Sequence, residues 1–174
     1  MRARRGSVSP TSVTPLTSAR VTLHLVYEKA HTASTRIRLA QMAPHLEARG
    51  IPCRVLAYPR DARARADLRG SVVAGDVVLI HRARPTRGEA RFWRALPAAR
   101  IYDFDDAVMW GRRGGLRGAW TRRRRSAGFQ RALACSHAAT CGNSFLAAQC
   151  GDLPTAIVPS AVPLDVPHHA PRAS

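Results

Sequence analysis

The sequence predicts an α/β domain built on a Rossmann-like parallel sheet flanked by helices. From Arg20 onward, short β-branched runs alternate with helical stretches, which is typical of βαβ units. The run from Asp76 to His81 is almost continuously apolar, as expected for a central strand covered on both faces. Right-handed crossovers between such strands place helices on both sides of the sheet.

Six strands are predicted, at residues 21–26, 52–57, 76–81, 100–104, 138–141 and 156–158. Helices are predicted at residues 34–49, 87–96 and 121–133, with a further short helix opened by Asn143 as its N-cap. Pro44 interrupts the first helix, because proline removes a helix hydrogen bond and clashes with the preceding turn. We therefore expect a kink near Ala43 or two short helices. Residues 111–118, rich in Gly and Arg, predict a mobile loop.

The predicted domain covers residues 21–165, with a flexible basic leader at residues 1–20 and a tail or truncated interdomain linker at residues 166–174. The leader lacks the continuous apolar block of a secretory signal. No stretch of the sequence approaches the roughly 20 apolar residues that cross a bilayer. These features predict a cytoplasmic protein, and they leave open peripheral contact with the inner face of a membrane.

The charge of the chain is strongly positive, with 28 Lys and Arg against 11 Asp and Glu, a formal net charge of +17. Lys29 is the only lysine, and the chain is also rich in Ala, Pro and Gly, so a coding bias would produce the same composition. The charge therefore indicates anionic partners without naming them. With 45% apolar residues the chain can bury a core, which excludes a wholly disordered protein.

The four cysteines are Cys53, Cys135, Cys141 and Cys150. None of them forms the C-x-x-C pairing of structural zinc or redox sites. This spacing favours buried, reduced thiols in a cytoplasmic protein.

Three carboxylates, Asp103, Asp105 and Asp106, follow one another where the predicted strand at residues 100–104 ends. Open α/β sheets bind ligands at this edge, and like charges so close together are costly unless something compensates them. Taken singly, each carboxylate fits a helix cap or a partner of an arginine. Taken together, the three favour a site.

Two further features point to the same edge. Arg36 and Arg38 lie beside a predicted helix N-terminus, where they can hold an anion, although a capping Ser34 with solvated arginines explains them as well. His81 ends the apolar strand, and a lone histidine there is more often structural than catalytic. Residues 27–33 contain no glycine-rich phosphate loop.

A basic segment follows, with arginines at positions 112, 113, 117 and 122–125 and with Trp110 and Trp120 interleaved. Arg112, Arg113, Arg122, Arg123, Arg124 and Arg125 are the predicted surface-binding residues. Arginines beside exposed aromatic rings can contact nucleic acid or an anionic membrane. A solvated basic face is the alternative.

Five segments together resemble the N-terminal half of a family 4 (group 1) glycosyltransferase, over about residues 21–165. The segments are residues 34–38, 76–82, 102–110, 141–147 and 157–165. The resemblance implies the two-domain GT-B architecture and transfer of a sugar from a nucleotide-sugar donor. It also implies that this domain binds the acceptor, a glycan or a lipid-linked molecule, and that the C-terminal domain binds most of the donor.

The donor half is not recognisable in this chain. The family's donor signature has two glutamates separated by seven residues, and no pair among Glu28, Glu47 and Glu89 has that spacing. We therefore expect the donor to be held by a missing C-terminal domain or a second subunit, with no turnover by this chain alone.

Site residues follow from the resemblance and from position. Many relatives have a histidine where this chain has Asp105, and we predict Asp105 and Asp106 as catalytic. The predicted acceptor-binding residues are Arg36, Arg38, His81, Asp103 and Asn143. We expect no metal, and no cofactor besides the nucleotide sugar as co-substrate.

Other classes of protein stay open. One is a catalytically silent binding module, and another, ranked below it, is an arginine-rich nucleic-acid binder without a recognised motif. A metal-dependent GT-A enzyme, with Asp103-Phe104-Asp105 as its D-x-D motif, is also ranked lower, because the preceding strands have the GT-B order. A GT-A donor domain would also need more sequence after the motif.

Overall fold

The sheet of this protein has six strands, all parallel, in the order β2-β1-β3-β4-β5-β6. The computed structural model describes residues 21–110 and 115–160. The strands are β1 (Leu23–Tyr27), β2 (Cys53–Ala57), β3 (Val77–His81), β4 (Ala99–Phe104), β5 (Ala138–Cys141) and β6 (Thr155–Ile157). The predicted fold class, a Rossmann-like α/β domain, is confirmed. The strand order reverses between β1 and β3, which is where such sheets open a ligand-binding crevice.

The connections between the strands are helical. The α-helices are α1 (Ala33–Thr35), α2 (Met42–Glu47), α3 (Ala62–Ser71), α4 (Arg87–Arg94), α5 (Gly115–Ala134) and α6 (Ser144–Ala147). A π-helix (Arg36–Ala40) joins α1 to α2, and a 3₁₀ turn (Ala148–Cys150) follows α6. No helix in the described part of the chain is long and apolar enough to cross a bilayer.

The expected interruption of the first helix is confirmed. The helical segment is divided at Gln41, whose N–H donates to the carbonyl of Arg36 at 2.8 Å, a π-type bond. Pro44 then lies in the first turn of α2, where its missing N–H is tolerated. The π-helix widens the turn that carries Arg38, and such bulges are frequent at functional sites.

Helix α3 was missed by the sequence analysis. Asp61 caps it, because its side chain accepts a hydrogen bond of 2.8 Å from the backbone N–H of Ala64. An Asp before a run of Ala and Arg is a helix start signal, and it was available in the sequence.

The predicted loop at residues 111–118 is wrong from Gly115 onward, since α5 begins there. Residues 111–114 lie outside the described residues. Two glycines lower helix propensity, but Gly118 is buried, and packing of this kind overrides a weak local preference. The basic helix predicted at residues 121–133 is therefore six residues longer at its N-terminal end.

The two faces of the sheet carry separate apolar clusters. The larger cluster packs α3, α4, α5 and α6 against one face, with Tyr102, Phe104 and Phe129 at its centre. The smaller cluster packs Leu39 and the helix α2 against the other face. Because side chains alternate along a strand, the second face also receives His81, Asp103 and Thr140, which lie at or one residue before the carboxyl ends of β3, β4 and β5.

Gly128 allows α5 to pass close to the loop that follows β3. A Cβ atom at this position would lie 2.8 Å from the Cβ of Arg84. We expect Gly128→Ala to lower the free energy of unfolding by about 1 to 3 kcal/mol through overpacking. Gly70→Ala, in α3, is the control, since its Cβ meets no atom within 4 Å and alanine favours the helix. Urea denaturation of both variants is the measurement, and an equal effect of the two would contradict the prediction.

Candidate functional site

Asp103 is the centre of a buried polar network at the carboxyl edge of the sheet. Its carboxylate accepts hydrogen bonds from His81 Nδ1 at 2.6 Å and from Thr140 Oγ1 at 2.6 Å. Arg38 Nε donates to the same carboxylate at 3.0 Å, and Arg38 Nη2 donates to Oδ1. Asp103 is 3% exposed, so these donors replace the water that its charge would otherwise require.

The strand register explains why these side chains meet. His81 on β3 is paired with Asp103 on β4, which is paired with Thr140 on β5. The three therefore lie side by side on one face of three adjacent strands. Arg38 reaches them from the π-helix, and its Nη1 also donates to the carbonyl of Val158, just after β6. The network thus ties the first crossover to the last strand.

The charge of Asp103 is fixed by these contacts. Burial alone would raise the pKa of its carboxyl group, but hydrogen bonds from His81 and Arg38, and the charge of Arg38, outweigh burial and lower the pKa to about 2. Burial likewise opposes the charge of Arg38, and the hydrogen bond and charge of Asp103 raise its pKa. The pair is therefore ionised at neutral pH.

His81 also contacts Ser34, whose Oγ lies 2.8 Å from Nε2. Since Nδ1 faces an ionised carboxylate, we assign the proton to Nδ1, and Nε2 then accepts a hydrogen bond from the hydroxyl group of Ser34. The order Ser-His-Asp is that of a hydrolase triad. Ser34, however, is 9% exposed and does not line the cavity that His81 borders. These contacts make Ser34 a positioning residue for the imidazole.

The predicted catalytic carboxylates, Asp105 and Asp106, are both paired with Arg82. Arg82 Nη1 lies 3.3 Å from Asp105, and Nη2 lies 2.8 Å from Asp106. Arg82 has φ 58°, in the left-handed region, a strained conformation for a non-glycine residue. Arg82 thus supplies the compensating charge that the carboxylates require. Neither carboxylate caps a helix in the described residues, because a turn follows them at residues 108–109.

A cavity of about 180 Å³ opens at the switch point between β1 and β3. It is lined by Glu28, Lys29, Thr32, Thr35, His81, Arg82, Arg84, Val108 and Arg125. Of the predicted acceptor-binding residues, His81 is in this lining. Asp105 and Asp106 are not in the lining, although their partner Arg82 is.

A second cavity, of about 460 Å³, adjoins the first and shares Glu28, Arg84 and Arg125 with it. Its remaining lining includes Tyr58, Arg60, Trp120, Arg124 and Arg131. Sequence reasoning named Arg124 and Arg125 as surface-binding residues but missed Arg84 and Arg131. Neither Arg84 nor Arg131 belongs to the run of arginines at positions 122–125, so the sequence carries no local signal for them.

The other predicted residues have simpler surroundings. Asn143 caps α6, since its Oδ1 accepts a hydrogen bond of 2.9 Å from the N–H of Leu146. Arg36 is exposed, and so are Arg122 and Arg123. Arg112 and Arg113 lie outside the described residues. The network and the cavities therefore bring together Arg38, His81 and Asp103, and they leave Arg36 and Asn143 apart.

An apolar cavity of about 370 Å³ borders the network on another side. It is lined by Arg38, Asp103 and Thr140 together with apolar residues that include Leu25, Ile37, Met42, Leu79 and Val158. The ion pair of Arg38 and Asp103 therefore has an apolar surface against it. That surface limits access of water and strengthens the pair.

Within residues 21–110 and 115–160, no cluster of three or more His, Cys, Asp or Glu side chains is arranged to hold a metal ion. A divalent cation on Asp103 and Asp105 would have to displace a different arginine from each carboxylate. All four cysteines are free. Burial is confirmed for Cys135, Cys141 and Cys150, whereas the prediction is wrong for Cys53, which is only partly buried at the edge strand β2. Burial raises the pKa of all four thiols.

Comparison with known proteins gives no family. No protein-family model matches the chain, and no curated protein matches it.

Proposed function

We propose that this chain forms the acceptor-side domain of a glycosyltransferase of the two-domain GT-B type. One observation carries the proposal. The five segments that resemble this family converge on Asp103 or border its network: Arg38, His81, Asp103 itself and Val158 come from four of them, and β5, with Thr140, leads into the remaining one. A shared set of contacts is a reason for these segments to occur together in one sequence.

The chemistry of the sheet edge suits an acceptor with hydroxyl groups. Carboxylates accept hydrogen bonds from sugar hydroxyls and stabilise the positive charge of an oxocarbenium-like transition state. Asp105 and Asp106 are held next to the cavity by Arg82, with side chains 17% and 67% exposed. We assign them the acceptor side of the cleft, without a bound metal. Sugar transfer would begin when a second domain closes over this edge.

The cellular setting is part of the proposal. Four free thiols favour a reducing compartment, and we place the protein in the cytoplasm. The exposed side chains of Arg122 and Arg123 support peripheral contact with the anionic inner face of a membrane.

The test has two stages. Residues 1–174 alone, incubated with radiolabelled nucleotide sugars and candidate acceptors, are expected to give no transfer, whereas combination with a GT-B donor-binding domain is expected to give transfer. In that two-part enzyme, Asp105→Asn and Asp106→Asn are each expected to lower turnover by about tenfold or more. Their free energy of unfolding should change by less than about 1 kcal/mol, because both side chains reach the surface.

Asp61→Asn is the matched control, since it removes the same charge at the N-cap of α3 and asparagine caps equally well. Robust transfer by residues 1–174 alone would contradict the two-domain proposal. Loss of turnover in proportion to loss of stability would remove Asp105 and Asp106 from catalysis. Activity that vanishes with chelator and returns with manganese would favour the D-x-D alternative.

A catalytically silent binding module is the second candidate. It is favoured by the pairing of both carboxylates with Arg82 and by their absence from the cavity lining. This candidate predicts ligand binding by the chain and no transfer with any donor domain. The two-part assay therefore separates the candidates.

A further inference from the structure

The two adjoining cavities form a continuous basic recess, which we call the arginine cleft. Its defining cations are Lys29, Arg84, Arg124, Arg125 and Arg131. The cleft lies between the loop after β3 and the helix α5, at the edge where open α/β sheets bind ligands. Its larger cavity has the size of an ordinary small-molecule site.

The positive charge of the cleft is not neutralised by the protein. Arg60, which also lines it, is paired with Glu28 at 3.3 Å. Glu89, the other carboxylate of the lining, accepts a hydrogen bond from the N–H of Thr86 in the capping box of α4. Within residues 21–110 and 115–160, no ion pair involves any of the five defining cations. The cleft therefore keeps a surplus of positive charge, which an anionic ligand would neutralise.

Three of the arginines are held in place by neutral acceptors. Arg84 Nη1 donates to the carbonyl of Val108 at 3.1 Å, and Arg125 Nη1 donates to that of Trp110 at 2.9 Å. Arg131 Nε donates to the carbonyl of Pro85 at 2.7 Å. Each of these bonds occupies one of five guanidinium donors and leaves the charge intact. Such fixed arginines lose less conformational entropy when they bind a ligand.

We propose that the arginine cleft binds the phosphate or diphosphate group of a ligand. The planar fork of a guanidinium matches two oxygens of a phosphate, which a lysine cannot do. Trp120, 64% exposed, borders the larger cavity, and the guanidinium of Arg124 lies over its ring at 5.6 Å. The exposed part of the ring can contact the sugar or apolar part of the same ligand. If the proposed function holds, this ligand is the acceptor of the sugar. Only this identification of the ligand rests on the proposed function.

The experiment is isothermal titration of the full chain at near-physiological salt. The probes are pyrophosphate, inorganic phosphate, a sugar 1-phosphate, geranyl diphosphate and, as the uncharged comparison, a neutral disaccharide. Pyrophosphate is expected to bind, and the double variant Arg84→Gln/Arg125→Gln is expected to weaken that binding by about tenfold or more. Arg84→Lys should weaken it less, because it keeps the charge and loses the fork.

The double variant Arg63→Gln/Arg91→Gln is the matched control. It removes the same charge, from exposed positions on α3 and α4 that do not line the cleft. Circular dichroism melting checks that each variant is folded. Equal weakening by the two double variants would overturn the proposal, since binding would then reflect diffuse charge. Absence of binding by every phosphate probe would also overturn it.

The other probes identify the kind of molecule that carries the phosphate. Tighter binding of geranyl diphosphate than of pyrophosphate indicates a lipid-linked ligand, and tighter binding of the sugar 1-phosphate indicates a soluble one. Phosphate binding without turnover in the two-part assay would support the cleft and contradict the proposed function. Turnover without phosphate binding would support the proposed function and contradict phosphate binding by the cleft.

Discussion

Replacement of Asp103 by Asn is expected to lower the free energy of unfolding by about 3 to 5 kcal/mol. The change removes the negative charge that faces Arg38, and the side chains of this pair are 5% and 4% exposed. A buried charge that loses its partner cannot recover its hydration, so the cost exceeds the net value of the pair. An amide also offers one acceptor oxygen to donors that now use both oxygens of the carboxylate.

Urea denaturation measures this effect, and two comparisons isolate its cause. In the double variant Asp103→Asn/Arg38→Met no charge is left unpaired, so the double variant should be less destabilised than the sum of the single ones. Thr140→Val removes one donor alone and should cost about 1 to 3 kcal/mol. Asp61→Asn removes a surface charge and should change stability by less than about 0.5 kcal/mol. Additive effects of Asp103 and Arg38 would contradict the account.

The lowered pKa of the Asp103 carboxyl group predicts that the stability of the protein depends on pH. Its pKa is about 2 in the folded protein, against an unfolded value of about 4, so its contribution to stability is complete above pH ~4. The contribution, about 2 to 3 kcal/mol, is lost as the pH falls from about 4 to 2. Asp103→Asn should therefore flatten the stability profile over this range, and an unchanged acid slope would remove Asp103 as its source.

The strands were predictable because each is a short apolar run, and the run that gives β3 also places His81 at its end. That Asp103 lies beside His81 could be inferred only in part, from the position of both residues near the carboxyl ends of their strands. Their direct pairing depends on the register of β3 against β4, which apolar pattern does not specify. Thr140 was missed for the same reason, because threonine in a strand carries no functional signal of its own.

The partners of the carboxylates could not be predicted. Arg38 reaches Asp103 over 65 residues of sequence because a π-helix reorients its turn, and no local pattern announces that bulge. Arg82 pairs with Asp105 and Asp106 from a left-handed conformation that is uncommon outside glycine. In a chain so rich in arginine, many cations were available to each carboxylate, and composition does not select among them.

The arginine cleft could not be predicted either, because the chain is so rich in arginine. Arg124 and Arg125 were noticed because they belong to a run of charges, whereas Arg84 and Arg131 are 47 residues apart in sequence and isolated from that run. They meet because Gly128 lets α5 approach the loop after β3. A contact of this kind belongs to helix packing and is absent from any local signal.

Replacement of Arg100, near the amino end of β4, is expected to have the second large effect on stability. Its guanidinium is buried and donates from Nη1 to the carbonyls of Leu96 and Ala98 at 3.1 and 2.9 Å, and from Nε to that of Cys135 at 2.7 Å. These carbonyls follow the C-terminal ends of α4 and α5, where the helix dipole favours a cation. Burial lowers the pKa of Arg100, but the group stays charged at neutral pH.

Arg100→Met is expected to lower the free energy of unfolding by about 2 to 4 kcal/mol, because three carbonyls lose their donor while the apolar volume is largely kept. Arg91→Met, at an exposed position of α4, is the control and should lie within about 0.5 kcal/mol of the unmodified protein. Arg100 lies at the opposite end of β4 from the Asp103 network. Arg100→Met should therefore keep the acid dependence of stability that Asp103→Asn abolishes. Urea denaturation of both variants between pH ~2 and ~7 measures this contrast. It separates the loss of a structural hydrogen-bond donor from the loss of the carboxylate at the site. A change below about 1 kcal/mol in Arg100→Met would mean that water replaces the guanidinium at these carbonyls.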